Sequence, residues 1–254
     1  MKTVTTDITI DAAVCRKDGR CAMACPGAVF RQNAKRTVPQ IEAPERCIGC
    51  GHCVALCPAG AITHSGFGPK DVQPVQTERL PSYDGVMELL RSRRSKRHFR
   101  NKPVERGHIE KILEAARFAP SSHNEQTTEF VVVQDKSTID DITSLTADGL
   151  TKLAGYTKNP IGRMMMRRAV GRRGAAYVAD MAPELEGLVS LYRGGTDYIL
   201  RKAPALVLFC ADSVSGTFAG VNANLALHNA ALAAETVGLG CFYAGFVVVA
   251  AERD

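Results

Sequence analysis

The later two thirds of this 254-residue chain carry apolar patterns that predict helices and buried strands. Apolar residues recur three or four positions apart over Asp84–Leu90 and Ile109–Phe118, which predicts two amphipathic helices, with Asp84 capping the first. Compact apolar segments at Phe130–Gln134 and Ala205–Ala211 are rich in valine, leucine and phenylalanine. Such segments are typical of buried strands.

The C-terminal part is the most apolar. It predicts a helix over Val221–Val237 and a buried strand over Cys241–Val249. Polar residues such as Asn222 and Glu235 interrupt residues 222–251, so we expect a core helix and strand and no membrane span. The composition, 45% hydrophobic and 23% charged, is that of a globular protein and excludes a disordered chain.

The N-terminal third has a different pattern, dominated by cysteine. Seven of the nine cysteines lie between Cys15 and Cys57, several of them only two or three residues apart. The first ten residues hold no apolar core long enough for export, so we expect a cytoplasmic protein. Clustered cysteines in such a protein predict metal binding rather than disulfides.

The second cysteine cluster reads Cys47-Ile-Gly-Cys50-Gly-His-Cys53-Val-Ala-Leu-Cys57-Pro58. This is the C-x2-C-x2-C-x3-C-P spacing of bacterial ferredoxins, in which three thiolates hold one iron–sulfur cluster and the fourth crosses to the other. The alternative is a structural zinc site, which also needs four ligands but has no such proline.

The chain also matches itself when it is shifted by 32 residues. The overlay pairs Cys15 with Cys47, Cys21 with Cys53, Cys25 with Cys57 and Pro26 with Pro58. A match at one fixed period marks a duplicated unit. One position breaks it, because Asp18 stands opposite Cys50.

Residues 1–68 therefore resemble a two-cluster ferredoxin domain. The resemblance implies that one 4Fe–4S cluster has four thiolate ligands: Cys25, Cys47, Cys50 and Cys53. It implies that the other cluster has three thiolates and a fourth corner at Asp18, the thiolates being those of Cys15, Cys21 and Cys57. Asp18 either ligates iron through a carboxylate oxygen, or leaves a 3Fe–4S cluster, or is only a turn residue before Gly19.

Two basic segments follow residues 69–82, which are rich in proline and predict an extended linker. Arg91–Arg100 alternates arginine and lysine with serine, a chemistry that suits a phosphate. Lys158–Arg173 carries six basic residues and no acidic one, and is interpreted as a solvated face. Aromatic residues are only 6% and tryptophan is absent, so we expect no nucleic-acid partner.

Three motifs in the later part of the chain, at residues 93–99, 119–126 and 232–240, resemble the FMN-dependent nitroreductase family over about residues 84–250. Together with the first domain, the resemblance implies an α+β chain. A ferredoxin-like iron–sulfur domain at residues 1–68 would be followed by a linker at 69–82 and a nitroreductase-type α/β sandwich at 83–254. That sandwich has a central mixed sheet flanked by helices.

The resemblance also implies an FMN site. The residues that correspond to FMN phosphate and ribityl contacts are Arg93, Arg94, Ser95 and Arg97. Those that correspond to the lining of the isoalloxazine and ribityl are Pro120, Ser121, Ser122, Asn124 and Gln126. Those where the family's strand passes the other flavin edge are Tyr243, Ala244 and Gly245. Family members are homodimers with flavins at the interface, so the Val221–Val237 helix is the expected dimer contact.

Three features depart from the family pattern. Thr127 and Thr128 stand where many members have Pro-Trp, and residues 144–200, where members build substrate lids, match none residue by residue. The chain stops at Asp254, directly after the predicted strand. Members continue with a helix, a strand and basic residues, so we expect the C-terminal part of the fold to be missing.

The function predicted is that of an iron–sulfur flavoprotein oxidoreductase. Electrons from NAD(P)H or a ferredoxin-type donor would pass between the 4Fe–4S clusters and FMN and reduce a small organic acceptor, such as a nitroaromatic, quinone or enone. The alternative is a non-catalytic flavin and iron–sulfur electron carrier between protein partners. No catalytic side chain is identified, since the nearest proton donors, His123 and Tyr243, are more typical of structural roles.

Overall fold

A computed structural model of the chain describes residues 7–68 and 71–251, without the side chains of residues 213–215. The chain divides into two compact units. The first comprises the chain up to Ser82 together with Ser121–Gln126, and the second comprises Tyr83–Pro120 and the chain from Thr127 onward. A six-residue segment within the later part of the sequence thus belongs to the first unit.

The first unit contains two antiparallel strand pairs and two short helices. In chain order these are β1 (Ile8–Ile10), α1 (Arg20–Ala24), β2 (Phe30–Arg31), β3 (Gln40–Ile41), α2 (His52–Ala55) and β4 (Ile62–His64). β1 pairs with β4, with Ile8 opposite His64, and β2 pairs with β3. The core between these elements is small, with Val29 and Phe30 among its buried members. Several of the cysteines pack against it.

The duplication predicted from the sequence is present in the backbone. Gly19 and Gly51 precede α1 and α2 with φ of 73° and 72°. The same left-handed conformation recurs 32 residues apart at two further pairs of positions: Lys17 with Gly49, and Ala28 with Gly60. Because only glycine adopts this conformation without strain, Lys17 and Ala28 hold a strained backbone that their counterparts do not.

The second unit is mainly helical. Its elements are α3 (Tyr83–Ser92), α4 (Arg106–Arg117), β5 (Thr128–Val133), α5 (Lys136–Tyr156), α6 (Pro160–Arg193), β6 (Leu206–Ala211), α7 (Ala219–Thr236) and α8 (Gly245–Ala251). The main core lies where α5 packs against α6 and α8, around Leu150, Ile199 and Leu200. A second cluster joins α4 to α7 through small residues, including Ala116 and Ala230, which allow the helices to approach closely.

The strand predicted over Cys241–Val249 is wrong. Only Cys241 makes a bridge, parallel to Ser95, and Gly245–Ala251 forms the helix α8. The valines favour a strand locally, but Phe246 and Val247 pack against the core cluster around α5, where a helix end fits. Tyr243 and Ala244 therefore lie in a loop, and Gly245 begins a helix, rather than all three lying on a strand.

Two other details of the sequence prediction need correction. β5 and β6 are antiparallel partners of each other, but they are half-exposed rather than buried, and Val131 is 46% exposed. Asp84 lies within the first turn of α3 instead of capping it. Among the helices in residues 7–68 and 71–251, none has an apolar stretch long enough to cross a bilayer.

The basic segment Lys158–Arg173 leads into the start of α6, and its six basic residues are all exposed, as predicted for a solvated face. Lys158 pairs with Glu186, with 2.8 Å between Nζ and Oε1. Three arginines of the segment, Arg163, Arg167 and Arg172, line a cavity of about 290 Å³.

Candidate functional site

The cysteines of the first unit form two groups. Burial, together with the nearby thiols of Cys47, Cys50 and Cys25, raises the pKa of the Cys53 thiol to about 11. Burial likewise raises the pKa of Cys21, with added contributions from Cys15 and Cys57. These are the groups that the ferredoxin resemblance implies, including the crossing of Cys25 and Cys57 between the two copies of the repeat.

Asp18 lies with the second group. Its side chain lines one small cavity together with Cys15, Cys21 and Cys57. The carboxylate is also part of a turn, because Oδ1 accepts a hydrogen bond from the backbone N–H of Arg20 at 3.2 Å and Oδ2 lies 3.5 Å from Arg20 Nε. Asp18 thus serves the turn and lies beside the cavity that the three cysteines share.

Backbone amides surround the sulfur atoms in the same way in both copies. Four N–H groups donate to cysteine sulfurs at 3.3–3.4 Å: Lys17 to Cys15, Val29 to Cys25, Gly49 to Cys47 and Ala61 to Cys57. Hydrogen bonds to sulfur stabilise thiolates, and they are a feature of iron–sulfur sites because they tune the cluster. The donor set therefore fits clusters bound by these cysteines.

His64 adds a side-chain contact to this set. Its Nε2 lies 3.4 Å from Cys47 Sγ, while Nδ1 accepts the backbone N–H of Gly66 at 3.1 Å. Nε2 therefore carries the proton and donates to the sulfur, and burial lowers the pKa of His64, which favours this neutral form. His64 is absent from the ligands predicted by sequence, although the overlay pairs it with Gln32, a second residue that contacts a cysteine loop.

Across the two described stretches, no three His, Cys, Asp or Glu side chains converge where one metal ion could sit. A structural zinc site has four ligands around one ion, with thiolates about 2.3 Å from it.

The candidate phosphate residues lie in the second unit, in the segment that follows α3. Arg93 is half-buried, whereas Arg94, Ser95 and Arg97 are exposed. Ser95 bridges to Cys241. No ion pair of Arg93, Arg94 or Arg97 occurs within residues 7–68 and 71–251, so these guanidinium groups and the serine hydroxyl fit an anionic group such as a phosphate.

Lys96 differs from its arginine neighbours because its charge is neutralised. Its Nζ lies 2.6 Å from Glu235 Oε2. A Cβ at Gly240 would come within 2.8 Å of Lys96 Cδ, so any other residue at that position would displace the Lys96 side chain. The other oxygen, Glu235 Oε1, is buried without a hydrogen-bond partner in the described part of the chain. A bound group with O–H or N–H donors would satisfy it.

The remaining candidate flavin residues fall in both units. Pro120 and Tyr243–Gly245 belong to the second unit, and Ser121–Gln126 belongs to the first. Tyr243 is 54% exposed. Within the Ser121–Gln126 loop, the Gln126 backbone N–H donates to Ser121 Oγ at 3.0 Å and closes the loop on itself.

Comparisons with known proteins match both parts of the chain. Residues 90–251 match the model of the nitroreductase family, and residues 7–75 match that of the 4Fe–4S dicluster domain. A nitroreductase with bound FMN from Desulfitobacterium hafniense DCB-2 is 21% identical, with a TM-score of 0.46, over 65% of this chain and 71% of that one.

Two curated relatives resemble the N-terminal part. The electron transport protein HydN of Escherichia coli K12 is 48% identical over 54 residues, which are 20% of this chain and 29% of HydN. The chain thus spans less than a third of that relative's length. A protein named Ferredoxin 7Fe from Hydrogenibacillus schlegelii is 34% identical over 55 residues, which are 22% of this chain and 67% of the ferredoxin.

Proposed function

Since the chain belongs to the nitroreductase family and carries a 4Fe–4S dicluster domain, we propose that it is an iron–sulfur flavoprotein oxidoreductase. It passes electrons between two iron–sulfur clusters and FMN and reduces a small organic acceptor of the nitroaromatic, quinone or enone class. The observation that carries this proposal is the presence of both domains on one chain. The proposed division is a cluster domain at residues 1–68, a linker at 69–82 and an FMN domain at 83–254.

The ligands proposed for the first cluster are Cys25, Cys47, Cys50 and Cys53. Those proposed for the second are Cys15, Cys21 and Cys57, with Asp18 at the fourth corner. The grouping of thiols by mutual pKa effects and the cavity shared by Asp18 support these sets. The likeness to a protein named Ferredoxin 7Fe favours the variant in which Asp18 leaves a 3Fe–4S cluster.

In the FMN site, Arg93, Arg94, Ser95 and Arg97 hold the phosphate and ribityl tail. The guanidinium groups, which form no ion pair in the described part of the chain, and the buried acceptor at Glu235 support this choice. The residues proposed to line the flavin are Pro120, Ser121, Ser122, Asn124, Gln126, Tyr243, Ala244 and Gly245. When bound, FMN exchanges single electrons with a cluster and electron pairs with an organic acceptor.

We further propose a cytoplasmic homodimer that takes electrons from NAD(P)H or a ferredoxin-type donor. α7 supports the dimer because it exposes apolar side chains, with Val221 51% and Leu225 40% accessible. Exposed apolar residues grouped on one helix are typical of a subunit interface. The second candidate function is a non-catalytic electron carrier, which the likeness to an electron transport protein favours.

The test starts with iron and flavin measured on one anaerobically purified sample. About eight irons and one FMN per chain support two 4Fe–4S clusters, and about seven irons support a 3Fe–4S cluster at Asp18. Saturable reduction of a nitroaromatic or quinone by NAD(P)H or reduced ferredoxin supports the oxidoreductase. Clusters that are reversibly reduced and oxidised, in a protein that shows no saturable turnover of a small acceptor, support the carrier. Failure of the protein to bind added FMN overturns the proposal of a flavoprotein.

Arginine variants test the phosphate site. Arg94→Ala removes one charge-assisted bond and should weaken FMN affinity about tenfold, measured by fluorescence titration of the flavin-free protein. Arg100→Ala is the matched control, because Arg100 is also exposed in the same segment but is not assigned to the site. Equal affinity loss in both variants would show a general charge effect.

A further inference from the structure

A single side chain from the Ser121–Gln126 loop contacts the Cys47–Cys50 loop. Asn124 Nδ2 donates to the carbonyl oxygens of Ile48 and Gly49 at 3.1 Å and 2.9 Å. All of these residues belong to the first unit. These are the carbonyls of the two residues between Cys47 and Cys50, so Asn124 binds two of the three peptide groups in that short connection.

The first copy of the repeat has an equivalent contact from another residue. Gln32 Nε2 donates to the carbonyl oxygen of Lys17 at 3.1 Å, and Lys17 is the counterpart of Gly49 in the overlay. The counterpart of Gln32 is His64, which contacts Cys47 Sγ instead of the loop carbonyl. The second copy therefore lacks its own amide donor, and Asn124 supplies one.

The Asn124 side chain is fully engaged in this role. Both amide hydrogens go to the two carbonyls, and Oδ1 accepts from Gln126 Nε2 at 3.0 Å. Three residues of the loop have left-handed backbone: His123, Asn124 and Gln126, with φ of 50°, 55° and 51°. Non-glycine residues in this conformation are strained, and the strain persists only where surrounding contacts enforce it.

The contact reaches the sulfur through one peptide group. The peptide between Ile48 and Gly49 accepts from Asn124 at its oxygen, and its N–H donates to Cys47 Sγ at 3.4 Å. A hydrogen bond to the oxygen fixes the peptide plane and polarises the N–H. A stronger N–H···S bond stabilises negative charge on the cluster, and this charge is greatest in the reduced state.

We propose that Asn124 is a positioning residue for the cluster ligated by Cys47, and that it raises the reduction potential of that cluster. The inference rests on the ligand sets proposed above. It also means that the amide hydrogens of Asn124 are committed to the cluster loop and its Oδ1 to Gln126, so the backbone of Asn124 is what remains for a contact with a flavin.

The experiment compares reduction potentials of the two clusters in the full-length protein by redox titration followed by EPR. Asn124→Gly removes the amide, adds no charge and suits the left-handed backbone. We expect the potential of the Cys47 cluster to become more negative, equivalent to a change of about threefold to tenfold in the reduction equilibrium, where tenfold is about 59 mV for one electron. The reduction potential of the other cluster, which is assigned to Cys15, Cys21 and Cys57 and is called the Asp18-side cluster below, should not change.

Two matched variants isolate the amide. Gln126→Gly loosens the same loop but leaves the Asn124 amide, so it should shift the Cys47 cluster less. Gln32→Ala removes the equivalent amide of the first copy and should shift only the Asp18-side cluster. An unchanged potential in Asn124→Gly, or an equal shift in Gln126→Gly, overturns the inference alone. A parent protein without a reducible cluster at Cys47 overturns the ligand sets and this inference with them.

Discussion

The two copies of the cysteine repeat share one backbone but fill it with different side chains. Residues 32 positions apart have matching left-handed conformations and matching N–H···S bonds. Among the side chains that differ are four pairs near the sulfurs: Lys17 against Gly49, Asp18 against Cys50, Ala28 against Gly60 and Gln32 against His64. The first copy thus keeps the shape while it loses one thiolate and two glycines.

The comparison shows that the cysteine spacing determines where the chain turns, and that the residue type at each turn can vary. The spacing of cysteines requires the chain to turn at the same points in both copies, whatever residue occupies the turn. A non-glycine residue at such a point costs strain but not the fold. Second-sphere contacts are less constrained, because one copy takes its loop donor from Gln32 and the other from Asn124.

Of the variants that test this comparison, the largest effect is expected from removing a cysteine that lies in one copy but ligates the cluster of the other. Cys25 lies in the first copy by sequence, yet its thiol is grouped with Cys47, Cys50 and Cys53. Cys25→Ala should therefore destroy the cluster of the second copy, with loss of about half the iron of the chain. Iron analysis and EPR of the reduced protein measure this.

Cys57→Ala is the reciprocal control, since its thiol is grouped with Cys15 and Cys21. This variant should keep the Cys47 signal and lose the Asp18-side signal. If each variant instead abolishes the cluster of its own copy, the clusters do not cross between copies, and the two repeats would be independent sites.

Restoring the missing thiolate should have an intermediate effect. Because Asp18 lines the same cavity as Cys15, Cys21 and Cys57, a sulfur at this position reaches the same corner. Asp18→Cys should bring the iron content to about eight per chain, from about seven if the parent holds a 3Fe–4S cluster. The loss of the exposed Arg20 pair, at 3.5 Å, should cost little stability.

The EPR spectrum distinguishes the three roles of Asp18. A three-iron signal that disappears in Asp18→Cys identifies an open corner in the parent. A four-iron cluster in both proteins with a changed spectrum identifies carboxylate ligation. An unchanged spectrum means that Asp18 serves only the turn before Gly19, where its carboxylate accepts the Arg20 N–H.

Sequence alone predicted the parts of this molecule that depend on local spacing. The repeat and the helix predicted at residues 221–237, which is found at Ala219–Thr236, follow from patterns that recur at short range. The strand at Cys241–Val249 was predicted wrongly, because its valines favour a strand locally and only long-range packing against the core around α5 selects the helix.

The second-sphere contacts could not be predicted for the same reason. Asn124 lies 75 residues from Gly49, and nothing in its local sequence indicates a contact with a cysteine loop. His64 carried a weaker signal, since the overlay placed it opposite Gln32, but the two side chains bind different atoms. A repeat indicates which positions correspond, and it leaves open which partner each position uses.

The smallest effect is expected from exchanging alanine and glycine at the shared left-handed turn. Ala28 is exposed and has φ of 50°, whereas its counterpart Gly60 has φ of 61° and open space around it. Ala28→Gly relieves a backbone strain of about 1–2 kcal/mol. It also raises the entropic cost of folding by about 0.5–1 kcal/mol, because glycine is more flexible in the unfolded chain. The net effect should be a stabilisation of about 0.5–1 kcal/mol. Gly60→Ala should destabilise it by a similar amount. The denaturant midpoint of cluster absorbance measures both, and a loss of stability in Ala28→Gly would mean that the methyl group makes a contact which outweighs the backbone strain.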